Sequence, residues 1–500
     1  MEPEHRIQQL WQRGITYLRS GNLQAAQACF EGILVRDSGH VRACLQLATV
    51  LLHRGSSKSA LGHAERAHAM APDDVEVVAF LAKLLLISGK VARARELALH
   101  AVLGSNESAA AADALGAVLS QLGEHRRAIQ RFDAALAVPP ISAEQYFNRA
   151  LAHRAANQVV PFENDLNACL ALDPGHVKSH WHLAQLRRRG RGSAHVEVLR
   201  RLLETRTMGS AEHEVLALAL FRELDSLDRS TDAWKALEAA MADRLMQPPR
   251  EPLQWSAFRS VLTQPLAAPS AARGPIFIVG LAQSGVAVLG RMIAQHPEVV
   301  SLGSVPAFSL RLNAAMAQSL GEYSRWDLSA AEAAMVALDF PALGRDYLEH
   351  AASDLVGDSV ICEYVPTNAL LVGAIARALP QARFLHVTRD AGDNALSLLS
   401  LPRGDTSLAN ESIPALAEDL RRHRDLMQHW QDCLPGRIMD VQYESLVHKP
   451  EMVLRVACAF LGLHYTPSLD SHDLQDHRVG RSQPYADRLA MLAEESASIS

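Results

Sequence analysis

Cysteine is scarce in this sequence and is never arranged as a close pair. The six cysteines are spread singly along the 500 residues, and no C-x-x-C motif occurs. A thiolate metal site needs ligands at close, regular spacing, and a disulfide scaffold needs a denser set of cysteines. We therefore expect reduced thiols in apolar cores, no metal ion and a cytoplasmic location.

Long apolar runs and basic clusters are also missing. No apolar run is long enough to span a bilayer, and the N-terminal stretch MEPEHRIQQLWQRG lacks the apolar core of a secretion signal. The net charge is −6 and no basic run stands out, which argues against nucleic acid as a partner. Only six of the 49 basic residues are lysine, a skew that indicates the GC-rich coding bias of a bacterial gene.

What the first half of the chain does have is a repeat with a period of 34 residues. The first copy contains Gly14, Tyr17, Gly21, Ala26 and Phe30. The three later copies contain Ala48, Leu51, Gly55, Ala60 and Ala64; then Ala82, Leu85, Gly89, Ala94 and Ala98; then Gly116, Leu119, Gly123, Ala128 and Phe132. A fifth, weaker copy includes Ala150 and ends at Pro174.

This period resembles the tetratricopeptide repeat, in which each unit is a pair of helices. Small residues at the outer positions would let the paired helices approach closely, and the central glycine would end the first helix in a left-handed conformation. The pattern therefore predicts an all-α superhelix. Such an array offers a groove for a peptide or a protein partner, although it could also serve only to support the rest of the chain.

The array and its capping helices are predicted to occupy residues 1–245. Residues 191–245 look helical but do not follow the repeat register, so we interpret them as the cap. Residues 246–274 are rich in proline and read as a linker, and residues 275–500 are predicted to form a second domain.

The period of the sequence changes at Pro275. The segments PIFIVGL, DSVICEYVP, ARFLHVTRD and GRIMDVQYESL are short apolar runs typical of buried parallel strands. Helical segments separate them, among them GVAVLGRMIAQHP, TNALLVGAIARAL and IPALAEDLRRHRDLMQHWQDCL. Alternating strands and helices predict a doubly wound α/β domain with a parallel sheet.

The loop after the first of these strands has the glycine spacing of a phosphate-binding loop. Gly280 and Gly285 are four residues apart, as in a Walker A motif, but Val286 and Ala287 stand where that motif has Lys and Ser or Thr. An ATP–magnesium site, and with it a P-loop kinase, is therefore disfavoured. A plain tight turn between strand and helix remains an alternative to phosphate binding.

Three ordered segments carry a resemblance to a known family. They are PIFIVGLAQSGVAVLGRMIAQHPEVVSLGSVPAF, FLHVTRDAGDNALSLL and VQYESLVHKPEMVLRVACAFLGL. They resemble sulfotransferases that use 3′-phosphoadenosine 5′-phosphosulfate, above all bacterial ones with tetratricopeptide repeats and the tyrosylprotein sulfotransferases. The resemblance implies a P-loop-like α/β fold, that nucleotide as co-substrate, and transfer of sulfate to a hydroxyl such as that of a peptide Tyr.

The resemblance also assigns residues to the nucleotide. Ser284, Gly285 and Val286 would surround the 5′-phosphate at a helix N-terminus, and Arg389 with Ser397 would hold the 3′-phosphate. The alternative for Arg389 is an ion pair with Asp390 or Asp393. His386 is interpreted as a satisfied core histidine, and Tyr443 and Glu444 as structural residues.

Three positions depart from the family pattern. Gln283 replaces the basic residue of the first loop, Ser304 replaces the glutamate that serves as base, and Tyr364 replaces a lysine. The resemblance implies that these groups remove the acceptor's proton and stabilise the developing negative charge. No clear substitute base is evident, since His296, Glu298 and Glu363 near these positions read as structural.

Two functions therefore remain in competition. One is a sulfotransferase with weakened activity. The other is a catalytically degenerate, nucleotide-binding pseudo-sulfotransferase that acts as a repeat-based interaction scaffold.

Overall fold

The computed structural model of the chain describes residues 2–88, 90–101, 108–186, 192–248, 258–263, 266, 273–303, 305–320, 335–351, 359–404, 408, 410–467 and 479–490. It contains two compact units, Met1–Leu186 and Arg187–Ser500. None of the helices in these ranges is long and apolar enough to cross a membrane.

The described part of the first unit is entirely helical. Its helices are α1 (Glu2–Arg19), α2 (Leu23–Arg36), α3 (Val41–His53), α4 (Ser57–Met70), α5 (Val75–Ile87), α6 (Val91–His100), α7 (Ala109–Gln121), α8 (His125–Leu136), α9 (Ala143–Ala155), α10 (Val159–Leu172) and α11 (Val177–Gln185). Consecutive helices pack as pairs, and the small repeat positions lie in their cores. The predicted two-helix repeat is confirmed.

The repeat glycines have the two roles that the sequence predicts. Gly21, Gly55 and Gly123 follow the first helix of their pairs with φ of 74°, 78° and 80°, the left-handed conformation that glycine tolerates best. Gly14 instead allows close packing, because a Cβ there would lie 2.8 Å from the Phe30 ring. The fourth predicted cap, at position 89, lies outside the described residues.

The second unit begins with helices and continues with a five-stranded parallel sheet. The helices are α12 (Gly192–Thr205), α13 (Ala211–Ser226), α14 (Ser230–Met246), α15 (Val286–Ile293), α16 (Ala307–Leu320), α17 (Phe340–Ala351), α18 (Val372–Ala378), α19 (Ala391–Leu399), α20 (Ile413–Cys433), α21 (Tyr443–His448) and α22 (Pro450–Leu461). The strands are β1 (Ile276–Gly280), β2 (Val299–Gly303), β3 (Val360–Tyr364), β4 (Arg383–Thr388) and β5 (Ile438–Gln442), in the order β2-β3-β1-β4-β5. The α/β class with a parallel sheet is confirmed.

The central strand β1 is buried along its whole length, as its continuous apolar run predicts. Ile276 and Ile278 belong to the core on one face of the sheet. Phe277 faces the other side, where its ring centroid lies 6.2 Å from that of Phe308 and 5.9 Å from that of Phe384. Apolar burial on both faces holds β1 in the centre of the sheet.

Two features of the sheet domain differ from the sequence pattern. The edge strand β2 was not among the predicted strands, because VVSLG is short and only partly buried. The segment TNALLVGAIARAL was predicted as one helix, but a 3₁₀ turn at Pro366–Leu371 precedes α18. Proline at the start of that turn lacks the N–H of a regular ladder and favours such a tight first turn.

The helices α13 and α14 belong to the same compact unit as the sheet, and the buried side chain of Arg244 joins them to it. Arg244 on α14 donates from Nε to Glu214 on α13 over 2.8 Å. Its other nitrogens donate to the backbone carbonyls of Asn410, over 2.5 Å, and Leu401, over 2.7 Å. From the sequence we interpreted these helices as the cap of the repeat array. The described hydrogen bonds of Arg244 and Glu214 nevertheless also reach the α/β part. The boundary at residues 246–274 remains a prediction.

Candidate functional site

The site lies where the carboxyl ends of β1 and β4 meet. These neighbouring strands are followed by the loop at residues 281–285 and by Arg389, respectively. The chain turns from β1 toward β2 and β3 on one side, and later adds β4 and β5 on the other. Such a reversal of strand order leaves a crevice above the sheet, and open α/β sheets bind their ligands there.

The loop after β1 has a backbone that is unusual for its residues. Gln283 has φ of 65°, a left-handed value uncommon outside glycine, and Gly285 has φ of 106°. A Cβ on Gly285 would lie 2.3 Å from the Tyr443 ring. Glycine is therefore required at 285, and the loop is held in a compact turn against α21.

The first turn of α15 follows this loop directly. Gly285 is its N-cap and provides no side chain to bind the free N–H groups of the helix. Ser284, just before it, is 2% exposed, and its Oγ is buried without a hydrogen-bond partner among the described residues. Val286 is the first helical residue, and its side chain packs in the core. Backbone donors and an unpartnered hydroxyl therefore lie together at a helix N-terminus, where anions are stabilised.

Arg389 bridges the loop and the helix that follows β4. Its Nη1 donates to the backbone carbonyl of Gln283 over 2.8 Å and lies 3.5 Å from Ser397 Oγ. Its Nη2 is 3.9 Å from Asp393, so the ion-pair alternative is present as a long contact. The guanidinium also lies 4.8 Å from the centre of the Tyr443 ring, and its Nε is buried without a described partner.

The helix α19 adds two polar side chains near Arg389 and the loop after β1. Ser397 donates to the backbone carbonyl of Asp393 over 2.7 Å. Asn394 donates to the carbonyl of Ala282 over 3.1 Å, and its Oδ1 is buried without a described partner. Sequence reasoning missed Asn394, although its spacing of three residues from Ser397 places both on one face of a helix.

A cavity of about 330 Å³ brings several of these groups together. Ser284, Arg389, Asn394, His386 and His423 are among the residues that line it. Ser284 and Arg389 are thus the predicted site residues that share this cavity. Each of Ser284, Arg389 and Asn394 also has one buried polar atom without a described partner, namely Oγ, Nε and Oδ1, respectively.

The structure describes two of the three positions at which the sequence differs from the family pattern. Gln283 uses its backbone carbonyl to bind Arg389. Tyr364 packs closely on α15, because a Cβ at Gly290 would lie 2.2 Å from its ring. The third position, Ser304, lies outside the described residues.

The neighbouring acids and histidines have structural contacts. Glu363 is fully buried and accepts hydrogen bonds from the Phe308 N–H, the Tyr347 hydroxyl and the Asn368 amide. Burial raises its pKa to about 7, against the lowering effect of these donors. His296 binds the backbone carbonyl of His464 through Nε2 over 2.6 Å.

No group of His, Cys, Asp and Glu suited to hold a metal ion occurs in the part of the chain that the structure describes. The oxygen and nitrogen donors of the site are instead of the kind that bind phosphate or sulfate, namely a guanidinium, a hydroxyl and helix N–H groups.

Comparison with family models finds two matches. Residues 275–467 match the sulfotransferase family, and residues 12–75 match the tetratricopeptide repeat. The chain therefore contains a sulfotransferase-family domain and tetratricopeptide repeats, as the sequence predicts.

Curated proteins resemble part of the chain. An uncharacterized protein of Aquifex aeolicus (strain VF5) is 28% identical over 199 residues, which are 38% of this chain and 25% of that protein. Protein-tyrosine sulfotransferase 2 of Gallus gallus is 25% identical over 211 residues, 40% of this chain and 53% of that protein. The matches thus span a quarter and about half of the lengths of these relatives.

Solved structures resemble the helical part. YrrB, a tetratricopeptide-repeat protein with an unusual peptide-binding site, is 19% identical with a TM-score of 0.27, over 33% of this chain and 86% of its own. PilF of Pseudomonas aeruginosa is 19% identical with a TM-score of 0.35, over 43% of this chain and 97% of its own.

Proposed function

We propose that this chain, which carries a sulfotransferase-family domain and tetratricopeptide repeats, binds 3′-phosphoadenosine 5′-phosphosulfate and transfers its sulfate slowly to a hydroxyl. The observation that carries the proposal is the pair Ser284 Oγ and Arg389 Nε. Both atoms are buried without a described partner, and the two residues that carry them line one cavity at the reversal point of the sheet. Buried polar groups are almost always paired, and a ligand or an ordered water in this cavity would supply the missing partners.

The chain's own residues fit the two phosphate ends of this nucleotide. The N–H groups at the start of α15, with the Ser284 hydroxyl, would bind the 5′-phosphate, and Gly285 leaves room for a close approach of the backbone. Arg389 and Ser397 would bind the 3′-phosphate, for which a guanidinium supplies paired donors. When bound, the co-substrate supplies an activated sulfuryl group.

Reduced activity would follow from Gln283 and Tyr364, the two described positions that lack the family's basic side chains. A single preorganised donor to the developing charge is worth about 3 to 4 kcal/mol of transition-state stabilisation. Gln283 offers only an uncharged amide where the family has a cation, and the Tyr364 ring is packed on Gly290. Binding of the ground-state nucleotide would depend on Arg389 and the helix N-terminus. The affinity for the nucleotide would therefore be kept while the rate of sulfate transfer is reduced.

The repeat array is proposed to bind a peptide or protein. Two-helix repeats present a continuous surface on which an extended chain can lie. The resemblance to a protein-tyrosine sulfotransferase supports a Tyr on such a partner as the acceptor.

The second candidate function is a nucleotide-binding scaffold without catalysis. The observation that favours it is the bond from Arg389 to the Gln283 carbonyl, which ties the main cation of the site to the loop itself. In this function the nucleotide would order the sheet domain while the repeats hold the partner.

One pair of measurements separates these functions. Calorimetric titration with 3′-phosphoadenosine 5′-phosphate tests binding, and transfer of labelled sulfate from the full nucleotide to a Tyr peptide or a phenol tests catalysis. Binding with slow transfer supports the first function, and binding without transfer supports the second. Absence of binding would overturn both.

A further inference from the structure

A second cavity, of about 440 Å³, lies at the edge of the sheet where the strands begin. Its lining includes Pro275, Ser359 and Gln381, which come shortly before β1, β3 and β4, respectively. The strands are parallel, so this edge is opposite to the one where Arg389 and the loop at residues 281–285 follow their strands. We call it the amino-edge cavity, and it is separate from the crevice proposed for the nucleotide.

Two close backbone contacts form part of the wall of the amino-edge cavity. A Cβ on Gly344 of α17 would lie 2.0 Å from the carbonyl oxygen of Ala378 at the end of α18. A Cβ on Gly274 would lie 2.0 Å from the carbonyl oxygen of Gln381. All four residues line the cavity. Backbone atoms cannot turn aside as a flexible side chain can, so this part of the wall is already formed before any ligand binds.

The charges on the wall are all of one sign. Arg273, Arg345 and Arg377 line the amino-edge cavity, and the described residues that line it include no Asp or Glu. The chain as a whole has a net charge of −6, so this set of cations is a local feature. Three like charges repel one another, and an anion in the cavity would be attracted by all of them.

Two of these arginines are held by other groups. Arg273 forms an ion pair with Glu298. Arg377 donates from Nη1 to the backbone carbonyl of Val261 over 3.0 Å, and its guanidinium lies 4.0 Å from the centre of the Phe340 ring. They therefore contribute positive charge to the cavity from fixed positions.

The third arginine is available to a ligand. Arg345 on α17 is exposed, and no residue in the described ranges forms a hydrogen bond or an ion pair with its guanidinium. The adjacent acid, Asp346, lies 3.2 Å from His350 Nδ1 instead. A guanidinium has five N–H donors in a planar fork that matches the two oxygens of a carboxylate.

The rest of the wall is largely apolar. Leu348, Val360, Ile361 and Leu379 line it together with several prolines. An apolar body placed here would remove this surface from water, whereas a compact dianion such as phosphate would leave it uncovered. The volume is in the range of cavities that bind small molecules. Cations beside apolar surface therefore favour a ligand with one negative charge and an apolar body.

We propose that the amino-edge cavity binds a small amphipathic carboxylate, whose carboxylate contacts Arg345 and whose apolar body lies against Leu348 and its apolar neighbours. The inference goes beyond the proposed function and does not depend on it. Because the two sites lie at opposite edges of the sheet, this ligand and the nucleotide would bind together.

The test is calorimetric titration of the full chain with three probes. Octanoate has both the charge and the apolar body, octanamide has the body without the charge, and acetate has the charge with almost no body. Octanoate should bind at least about tenfold more tightly than either of the others, since a charge-assisted contact and apolar burial each contribute that much. Its affinity should be the same with and without 3′-phosphoadenosine 5′-phosphate.

Two exposed positions allow variants that keep the fold. Arg345→Gln should weaken octanoate binding about tenfold or more and leave octanamide unchanged. Leu348 is 38% exposed; Leu348→Asp should weaken octanoate further than the uncharged Leu348→Asn, because it places a carboxylate in the wall. The control is Arg455→Gln on α22, an exposed arginine that does not line the cavity and should change nothing. Thermal unfolding checks the fold of every variant.

Several results would overturn the inference. They are no binding of octanoate by the parent, equal binding of octanamide, or an octanoate affinity that Arg345→Gln leaves unchanged. Acetate binding as tightly as octanoate would indicate an adventitious ion only. Competition between octanoate and the nucleotide would place octanoate in the other crevice and leave the proposed function standing. Failure of the nucleotide to bind would overturn the proposed function and leave this inference untouched.

Discussion

The guanidinium of Arg389 donates to the backbone carbonyl of Gln283 over 2.8 Å. The two residues are 106 positions apart in sequence, yet the contact joins the loop after β1 to the end of β4. Arg389 is the cation proposed to bind the nucleotide, and Gln283 stands where the sequence resemblance places a second cation. Arg389 therefore holds in place the loop at residues 281–285, which has no basic residue of its own.

This contact leads to a prediction about nucleotide preference. Arg389→Ala should remove the preference for 3′-phosphoadenosine 5′-phosphate over AMP, because a charge-assisted contact to the 3′-phosphate is lost. The expected loss is about 1.5 to 3 kcal/mol, or about 10- to 150-fold in affinity ratio. Calorimetric titration of both nucleotides measures it.

The matched control is Arg455→Ala on α22, an exposed arginine paired with Glu451. It should change neither affinity, since exposed pairs contribute little. If the parent binds both nucleotides equally, Arg389 is not a 3′-phosphate ligand, and its contact with Asp393 explains it sufficiently.

Substituting the family's residues at the positions that differ tests whether their absence is what slows the transfer. Gln283→Arg and Tyr364→Lys together should raise the rate of sulfate transfer well above the parent, whereas each alone should do little, because residues that act as a unit respond non-additively. Adding Ser304→Glu should raise the rate further, because a positioned base is worth about 100-fold or more. Labelled sulfate transfer to a phenol measures the parent and the four variants.

Two results would contradict this expectation. A parent as fast as ordinary sulfotransferases would show that nothing essential is missing. No additional gain from Ser304→Glu would show that position 304 is not where the base acts. Thermal unfolding is followed in parallel, because Tyr364→Lys removes a ring that packs on Gly290.

Glu363 predicts a pH dependence of stability. Its pKa rises from 4.5 to about 7 in the folded protein, chiefly because it is buried. Between these values the folded state holds a proton that the unfolded state has lost, so stability falls as pH rises through this window. The contribution is roughly 3 kcal/mol.

The Glu363→Gln variant checks this dependence. Gln cannot ionise, so the free energy of unfolding of the variant minus that of the parent should become more positive from pH 4.5 to pH 8. Urea unfolding at several pH values measures the difference. Curves that stay parallel over this range would mean that Glu363 titrates normally in the fold.

The buried ion pair of Arg244 and Glu214 predicts a large loss of stability when only one of the two side chains is replaced. Arg244→Leu should destabilise the second unit by roughly 3 to 5 kcal/mol, because it leaves the Glu214 charge buried without compensation. Arg244→Leu combined with Glu214→Leu should be less harmful than the single change. Denaturant unfolding of the parent, the two single variants and the double variant gives the coupling free energy between the two side chains.

The same contacts bear on the boundary predicted at residues 246–274. A fragment of residues 187–500 should fold and bind nucleotide, whereas residues 275–500 alone should aggregate, since the carbonyls of Leu401 and Asn410 lose the Arg244 guanidinium as donor. A stable, binding-competent fragment of residues 275–500 would show that α13 and α14 are dispensable.

Much of the fold could be predicted from local patterns. The left-handed conformations at Gly21, Gly55 and Gly123 follow from one residue type at a fixed period. The burial of β1 follows from an apolar run bounded by Pro and Gly. Of the site, Ser284 and Arg389 were predicted because the strand and turn next to each are readable in a few adjacent residues.

The rest was decided only by the tertiary structure. Asp440, His386 and His423 come from two strands and a helix, and nothing in the spacing of their positions marks them as neighbours. The sequence determined which segments are helix or strand, because backbone preference and apolar period act over a few residues. Which polar atoms meet in a cavity depends on how those segments pack, and one hydrogen bond can join residues 54 positions apart, as between His386 and Asp440.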